Sequence, residues 1–407
     1  MKISSDIENN HLHDSHYDKP KYEVADIFRL YFPEYLKKHN VPYHQKKEVY
    51  DIMQCRTASL GFHKYKCDQC GFERIEYDSC RNRHCPKCQG VKRLQWVEAR
   101  LSELLPVSYY HSVFTMPHTL NIVVLYNKKV IYDIFLSSCG ETLKEFAKDQ
   151  KYLGAKIGFT GILHTWGQKL NLHIHAHFII PGGGISTDNK KWVNLPYRKD
   201  FLFPVKAMSM RMRKIFSQKL QKAYDEGKLV FPDSLSYLNN PDKFKVFLNK
   251  VAWDKWINYT KKPFSSPEKV VKYIGRYTHR VAISNHRILD IAKDMITIKY
   301  RDYRASKDGG ISSKVMTISA EEFIRRFLLH TLPKGFKKIR HYGIFGSGKR
   351  KEYIKLAKEL LGAALDDLKA CSGVFNSILN KLFKCPVCKK GVMHLVENLL
   401  FYKLRPG

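Results

Sequence analysis

The sequence predicts an α+β fold: a helical, zinc-ribbon-like N-terminal region, then an antiparallel sheet with helices, then a basic C-terminal region. Three observations predict it. Segments with helical spacing of apolar residues and segments rich in β-branched and aromatic residues both occur, but they do not alternate regularly as a parallel β/α fold requires. Three strand-like runs, "YYHSVFTMP", "IGFTGILHTW" and "LHIHAHFII", fall within residues 109–180. Two CxxC pairs, at 67–70 and 85–88, lie ahead of them. A chain of 407 residues is long enough for two or three domains.

Residues 1–20 are polar and His-rich and read as a mobile tail. Residues 21–100 read as a helical and zinc-binding, DNA-binding domain. "YEVADIFRLYFPEYLKKH" and "QKKEVYDIM" have helical spacing, the cysteines run from Cys55 to Cys88, and "VKRLQWVEARLSELL" is a basic amphipathic helix ended before Pro106. Residues 105–290 carry the three strands, with "IYDIFLSSCGETLKEFAKD" as a helix between the first and second and a turn at Pro181-Gly182-Gly183-Gly184. "FPVKAMSMRMRKIFSQKLQKAYDEG" follows as a strongly basic helix, and the turn-rich run after it marks an insertion near 222–250. In "SPEKVVKYIGRYTHR", Ser266 as N-cap, Pro267 in the first turn and Glu268 beside the positive helix end predict a helix running into Tyr273 and Tyr277. Residues 291–407 form the basic C-terminal region, with strand and helix signals in "ITIKYRDY" and "KVMTISAEEFIRRFLLHTL".

The charge balance points to the partner. Lys and Arg number 71 against 38 Asp and Glu, a net charge of +33, and the surplus recurs along the chain. Such a surplus calls for a polyanion, with nucleic acid first. No apolar run spans a bilayer and the first residues lack the hydrophobic core of a signal peptide, so no membrane partner and a cytoplasmic protein are expected. In a reducing compartment CxxC pairs are metal ligands sooner than disulfides.

In "CDQCGFERIEYDSCRNRHCPKC" the pairs Cys67/Cys70 and Cys85/Cys88 have fourteen residues between them, close to zinc-ribbon spacing, and are assigned one structural Zn2+. Cys55, His63, Cys80 and His84 are left over and make a second Cys2His2 site. Arg81, Arg83, Lys87, Lys92 and Arg93 surround the knuckles and suit phosphate contacts, which position DNA without reading its sequence. A separate "CPVC", Cys385 and Cys388, has only Cys371 and His394 as companions and reads as half a site or free thiols.

His173, His175 and His177 occupy alternate positions of one strand, so their side chains share a face. One such histidine is usually an ordinary sheet residue; His173 and His175 together, flanked by Ile174 and Ala176, favour a metal site. Tyr273 and Tyr277 stand at i and i+4 and project from one helix face about 6 Å apart. Beside a divalent cation and a polyanion, they suggest attack on a phosphodiester, with Lys272, Arg276 and Arg280 favouring a phenolate whose free pKa is about 10.

"HIHAHFIIPGGG", "LHTWGQKL", "SVFTMPHTLN", "KKPFSSPEKVVKYIGRYTHRVAISN" and "CRTASLGFHKYKCDQCG" with "SCRNRHCPKC" resemble the HUH tyrosine transposases of rolling-circle insertion sequences, the IS91 type, from roughly Tyr22 to Leu361. The resemblance implies an HUH, ferredoxin-like sheet and a single-strand DNA endonuclease and strand transferase acting on single-stranded or hairpin element ends. It implies that His173 and His175 bind Mg2+ or Mn2+, and that Tyr273 and Tyr277 alternate as nucleophiles forming 5′-phosphotyrosine. Asn171 stands where relatives often carry a further histidine, and His177, on the same face, is the candidate third ligand. A rolling-circle replication initiator or relaxase would use the same chemistry, and a non-catalytic zinc-ribbon regulator is the alternative from another class. "GIFGSGKR" imitates a phosphate loop, but Arg350 stands where a Ser or Thr is needed, so it reads as a basic turn on DNA. On the strand beside the histidines, "LHTWG" places His164 and Trp166, with packing the expected fate of the indole.

Overall fold

The computed structural model describes residues 20–195, 202–261, 264, 269, 275, 278–302, 312–346, 348–362 and 383–399. The chain forms two units: Met1–Glu98 with Ile283–Leu328 and Ala370–Gly407, and Ala99–Ala282 with Leu329–Lys369. The C-terminal region expected over 291–407 is therefore divided between them. Among the described residues no helix is long and apolar enough to cross a membrane.

The second unit is built on a five-stranded antiparallel sheet of β1 (Tyr109–Thr115), β2 (Gly158–Trp166), β3 (Leu172–Pro181), β4 (Ile257–Lys261) and β5 (Ile339–Gly343). Its spatial order is β5-β2-β3-β1-β4. β3, the histidine strand, is central, so both its edges are paired and its register is fixed on two sides. Its alternate residues Ile174, Ala176, Phe178 and Ile180 enter one core with Phe114 of β1 and Phe159 and Leu163 of β2. Three helices pack into that core: α1 (Lys128–Lys148), α2 (Val205–Asp225) and α3 (Pro241–Trp253). In α1, Ile131, Phe135, Cys139 and Leu143 recur every fourth residue and make the buried stripe. The histidines face the other side of the sheet.

α3 lies where the sequence suggested a turn-rich insertion. Asn240 caps the helix, accepting hydrogen bonds from the backbone N–H groups of Asp242 and Lys243, and Pro241 sits in the first turn, where its missing N–H costs nothing. Leu235, Leu238, Phe244, Phe247 and Val251 then join the same core, so the segment is part of the domain's interior. The glycines after Pro181 likewise do more than turn. Gly183–Ser186 is a strand pairing with Ala155–Lys156 and Trp192–Asn194, and a Cβ on Gly184 would come 2.6 Å from the Lys156 carbonyl oxygen.

In the first unit, helices Val24–Lys38, Tyr43–Gln54 and Ala320–Leu329 supply the apolar residues Phe28, Phe32, Ile52, Phe323 and Phe327. Phe28 meets Phe327 edge-on at 5.1 Å. Glu23 and Asp26 close a capping box at the start of the first helix. Ile288–Ala292, Met295–Asp302 and Ser312–Ser319 form one antiparallel sheet. In another, Phe62–Cys67 is paired on one side by Glu73–Tyr77 and on the other by Met393–Leu399, so the chain's last described strand returns to its first.

Candidate active site

Pairing of β2 with β3 puts His164 opposite His175 and Ile162 opposite His177. His164, His175 and His177 are thereby gathered on one sheet face, each with a ring nitrogen within 4.8 Å of the others. Their ring centroids are 4.7 to 5.4 Å apart. Two of the rings have their orientation set from behind. His175 Nδ1–H donates to the backbone carbonyl of His173 at 2.9 Å, which leaves Nε2 with the lone pair. His177 Nδ1 lies 2.8 Å from Nε2 of His111 on β1, and the two rings stack at 5.0 Å.

Burial governs the charge of this cluster. Burial, helped by the neighbouring His173, pushes His175 down to about 4. Burial also drives His177 well below its ordinary value and brings His111 to about 4. At neutral pH these imidazoles are uncharged, the form that ligates a metal. Arg280 adds to the depression at both His175 and His177, so the positive charge just past the predicted tyrosine helix is felt at this site.

The structure groups His175 with His164 and His177 and leaves His173, the other half of the expected pair, out of that group. His173 stands outside the trio: its Nδ1 is 3.3 Å from Nε2 of His118, with the rings stacked at 5.3 Å. "HIHAH" contains the pattern His-apolar-His twice, offset by two residues, and only the register against β2 decides between them. His177 is in the trio, as expected for the third ligand, but as half of the strand pair; the additional histidine is His164, which sequence reasoning placed on the adjacent strand without assigning it a ligand role. Its signal was present, since Ile162, His164 and Trp166 share a parity in "GILHTWG". Trp166 packs against His164 at 4.7 Å, the fate expected for it.

Lys272, Tyr273, Arg276 and Tyr277 lie outside the described residues. Within the same stretch Lys269, Gly275 and Thr278 are helical, Gly275 and Thr278 are buried, and the Thr278 hydroxyl donates to the Gly275 carbonyl at 3.2 Å.

The cysteines regroup as well. Cys55, Cys80, Cys85 and Cys88 are buried together with their sulfurs within 4.8 Å of one another, and Cys67 and Cys70 group instead with Cys385 and Cys388. The expected set Cys67/Cys70/Cys85/Cys88 is thus split. The second expected set is not gathered either: His63 Nε2 lies 3.1 Å from Asp78 Oδ1, and His84 is buried outside both groups. The physical reason is pairing at long range: strand Phe62–Cys67 carries its knuckle to the C-terminal strand, while the end of helix Tyr43–Gln54 delivers Cys55 to the others. Among the basic residues around them, Arg81 and Lys92 are exposed and Arg83 and Arg93 half-buried. Lys87 is held by Glu23 at 2.8 Å, so it braces the first helix. In "GIFGSGKR", Arg350 opens a helix and pairs with Glu103.

Residues 27–116 match a family described as "Transposase zinc-binding domain", and residues 158–352 match one described as "Putative transposase". The chain is 42% identical over 383 residues to "Putative transposase y4qJ" of Sinorhizobium fredii, covering 92% of this chain and 95% of that one. It is 25% identical over 319 residues to "Transposase for insertion sequence element IS801" of Pseudomonas savastanoi pv. phaseolicola, covering 78% and 74%. No solved structure matches the chain. A front part matched by a zinc-binding family and holding clustered cysteines, a second part matched by a transposase family and built around three converging histidines, and a relative alike over almost the whole length lead to one conclusion: the chain belongs to the IS91 family of insertion-sequence transposases, DNA-binding and DNA-cleaving enzymes with a zinc-binding domain.

Proposed function

We propose that this transposase nicks and rejoins single-stranded or hairpin DNA at the ends of its element through a 5′-phosphotyrosine intermediate made by Tyr273 and Tyr277. The observation that carries the reading is the trio of His164, His175 and His177. Three converging imidazoles, one oriented by a carbonyl and one by His111, fit a divalent cation, and an all-nitrogen donor set suits Mn2+ better than Mg2+. A cation bound there neutralises charge on the scissile phosphate.

The chain's own residues do the rest. A tyrosine Oη attacks phosphorus and the P–O3′ bond breaks. The 3′ oxygen leaves as a hydroxyl, taking from solvent the proton that the phenol gave up, and the 5′ phosphate stays on the tyrosine. Attack by a 3′-hydroxyl on that diester reverses the step and rejoins DNA, so the phosphodiester energy is kept in the link. Arg280, whose charge reaches the histidines, also favours the phenolate over the phenol. Lys272 and Arg276 would add to that field, and Arg81, Arg83, Arg93 and Lys92 supply backbone contacts outside the reacting centre.

The choice between the two histidine registers is testable. His164→Ala should abolish strand cleavage of single-stranded element-end DNA as completely as His175→Ala, with DNA binding retained. His173→Ala should keep most of its cleavage rate. Full activity in His164→Ala together with a dead His173→Ala would return the site to the register read from sequence.

A further inference from the structure

We propose that Cys67, Cys70, Cys385 and Cys388 hold a structural zinc ion in addition to one held by the buried group Cys55, Cys80, Cys85 and Cys88, and that this further ion fastens the end of the chain to the strand Phe62–Cys67. Cys385 and Cys388 lie beyond both matched family regions, which end at residues 116 and 352. The sulfurs are spaced for a metal. Cys67 Sγ is 3.7 Å from Cys388 Sγ, and Cys70 Sγ is 3.6 Å from Cys385 Sγ. A tetrahedron with Zn–S bonds of about 2.3 Å has edges of about 3.8 Å, whereas a disulfide needs about 2.05 Å.

The backbone is built the same way on both sides. Four residues after the first cysteine of each pair, Gly71 and Lys389 take left-handed backbone, with φ of 71° and 57°. Each donates its N–H back to that cysteine's carbonyl, Gly71 to Cys67 at 3.2 Å and Lys389 to Cys385 at 3.1 Å. A non-glycine residue adopts that conformation at some cost, and here the C-terminal turn repeats the N-terminal one. Further N–H groups point at sulfur: Gln69 N is 3.4 Å from Cys67 Sγ and Gly391 N is 3.3 Å from Cys388 Sγ. Donors of this kind stabilise thiolates, the form a metal binds. Gly391 is also where no side chain fits, because a Cβ would collide with Cys67 Sγ.

A small core explains why an ion is needed. Among the described residues, Cys67, Cys385 and Met393 are the buried ones of this corner, with Tyr65, Phe72 and Cys388 packed on them. So few apolar side chains cannot hold two turns and a strand in place, and small modules of this size are commonly stapled by a metal. Asp68 adds a polar tie, accepting a hydrogen bond from Val392 N at 2.9 Å. The zinc-binding domain of this transposase is then discontinuous and is complete only once the residues past 384 are made.

Site-resolved alkylation of the full-length protein tests this without a mutant. Cys70 is exposed and Cys388 half-exposed, so as free thiols they would react fast. As zinc ligands they should be protected, and their labelling should rise by about tenfold or more when a strong chelator is added. Elemental analysis should find two zinc ions per chain, falling to one in Cys385→Ser/Cys388→Ser. Rapid labelling of Cys70 and Cys388 in untreated folded protein, or an unchanged zinc content in the double variant, would overturn the assignment. If the double variant does not fold, the alkylation pattern of the native chain decides.

Discussion

His111 acts on the histidine trio without belonging to it. Its Nε2 meets His177 Nδ1 at 2.8 Å, and that contact chooses which His177 nitrogen is left for a ligand. In the proposed centre it is a positioning residue, and loss of such a partner typically weakens metal affinity 10- to 100-fold. His111→Ala should therefore cleave poorly at low Mn2+ and recover as Mn2+ is raised, whereas His175→Ala should not recover. Titration of cleavage rate against Mn2+ separates the two behaviours; a His111→Ala rate that stays low at saturating Mn2+ would leave only a packing role. At this scale the sequence was partly legible. The chemistry of the face was visible in "NLHIHAHFII", but the choice of ligands depends on which residues sit opposite, and nothing in one strand states its register.

Among the elements, the strands and long helices were readable because their periodicities of two and 3.6 are local. α3 was not, since Asn-Pro signals a turn as readily as a capped helix start. Glycine at 161 shows what packing adds. A Cβ there would stand 2.6 Å from the Phe178 ring and 3.1 Å from the Tyr342 ring, so the bare backbone lets two aromatics close over β2. Gly161→Val should cost about 1–3 kcal/mol through overpacking, read as a lowered midpoint in chemical denaturation. An unchanged midpoint would mean that the rings move aside freely. This substitution lies on the sheet face away from the histidines, so residual folded protein should still bind metal.

For the whole molecule, the least legible feature was which distant segments meet. Cys67 and Cys388 are 321 residues apart in sequence, and strand Phe62–Cys67 finds its second neighbour only at Met393–Leu399. Spacing rules count along the chain, and they therefore paired the two nearest CxxC motifs with each other. The charge was legible from the outset, because a surplus of +33 needs no fold to be recognised, and it agrees with a DNA-cleaving family. These scales meet in the proposed mechanism, in which a histidine centre on the sheet serves two tyrosines that become covalently attached to DNA. Its most direct test is a denaturing gel of the full-length protein incubated with end-labelled single-stranded element-end DNA and Mn2+. The protein should form a covalent adduct, each of Tyr273→Phe and Tyr277→Phe should retain one, and the double variant should form none. An undiminished adduct in the double variant would contradict the assignment of these tyrosines and with it the proposed mechanism.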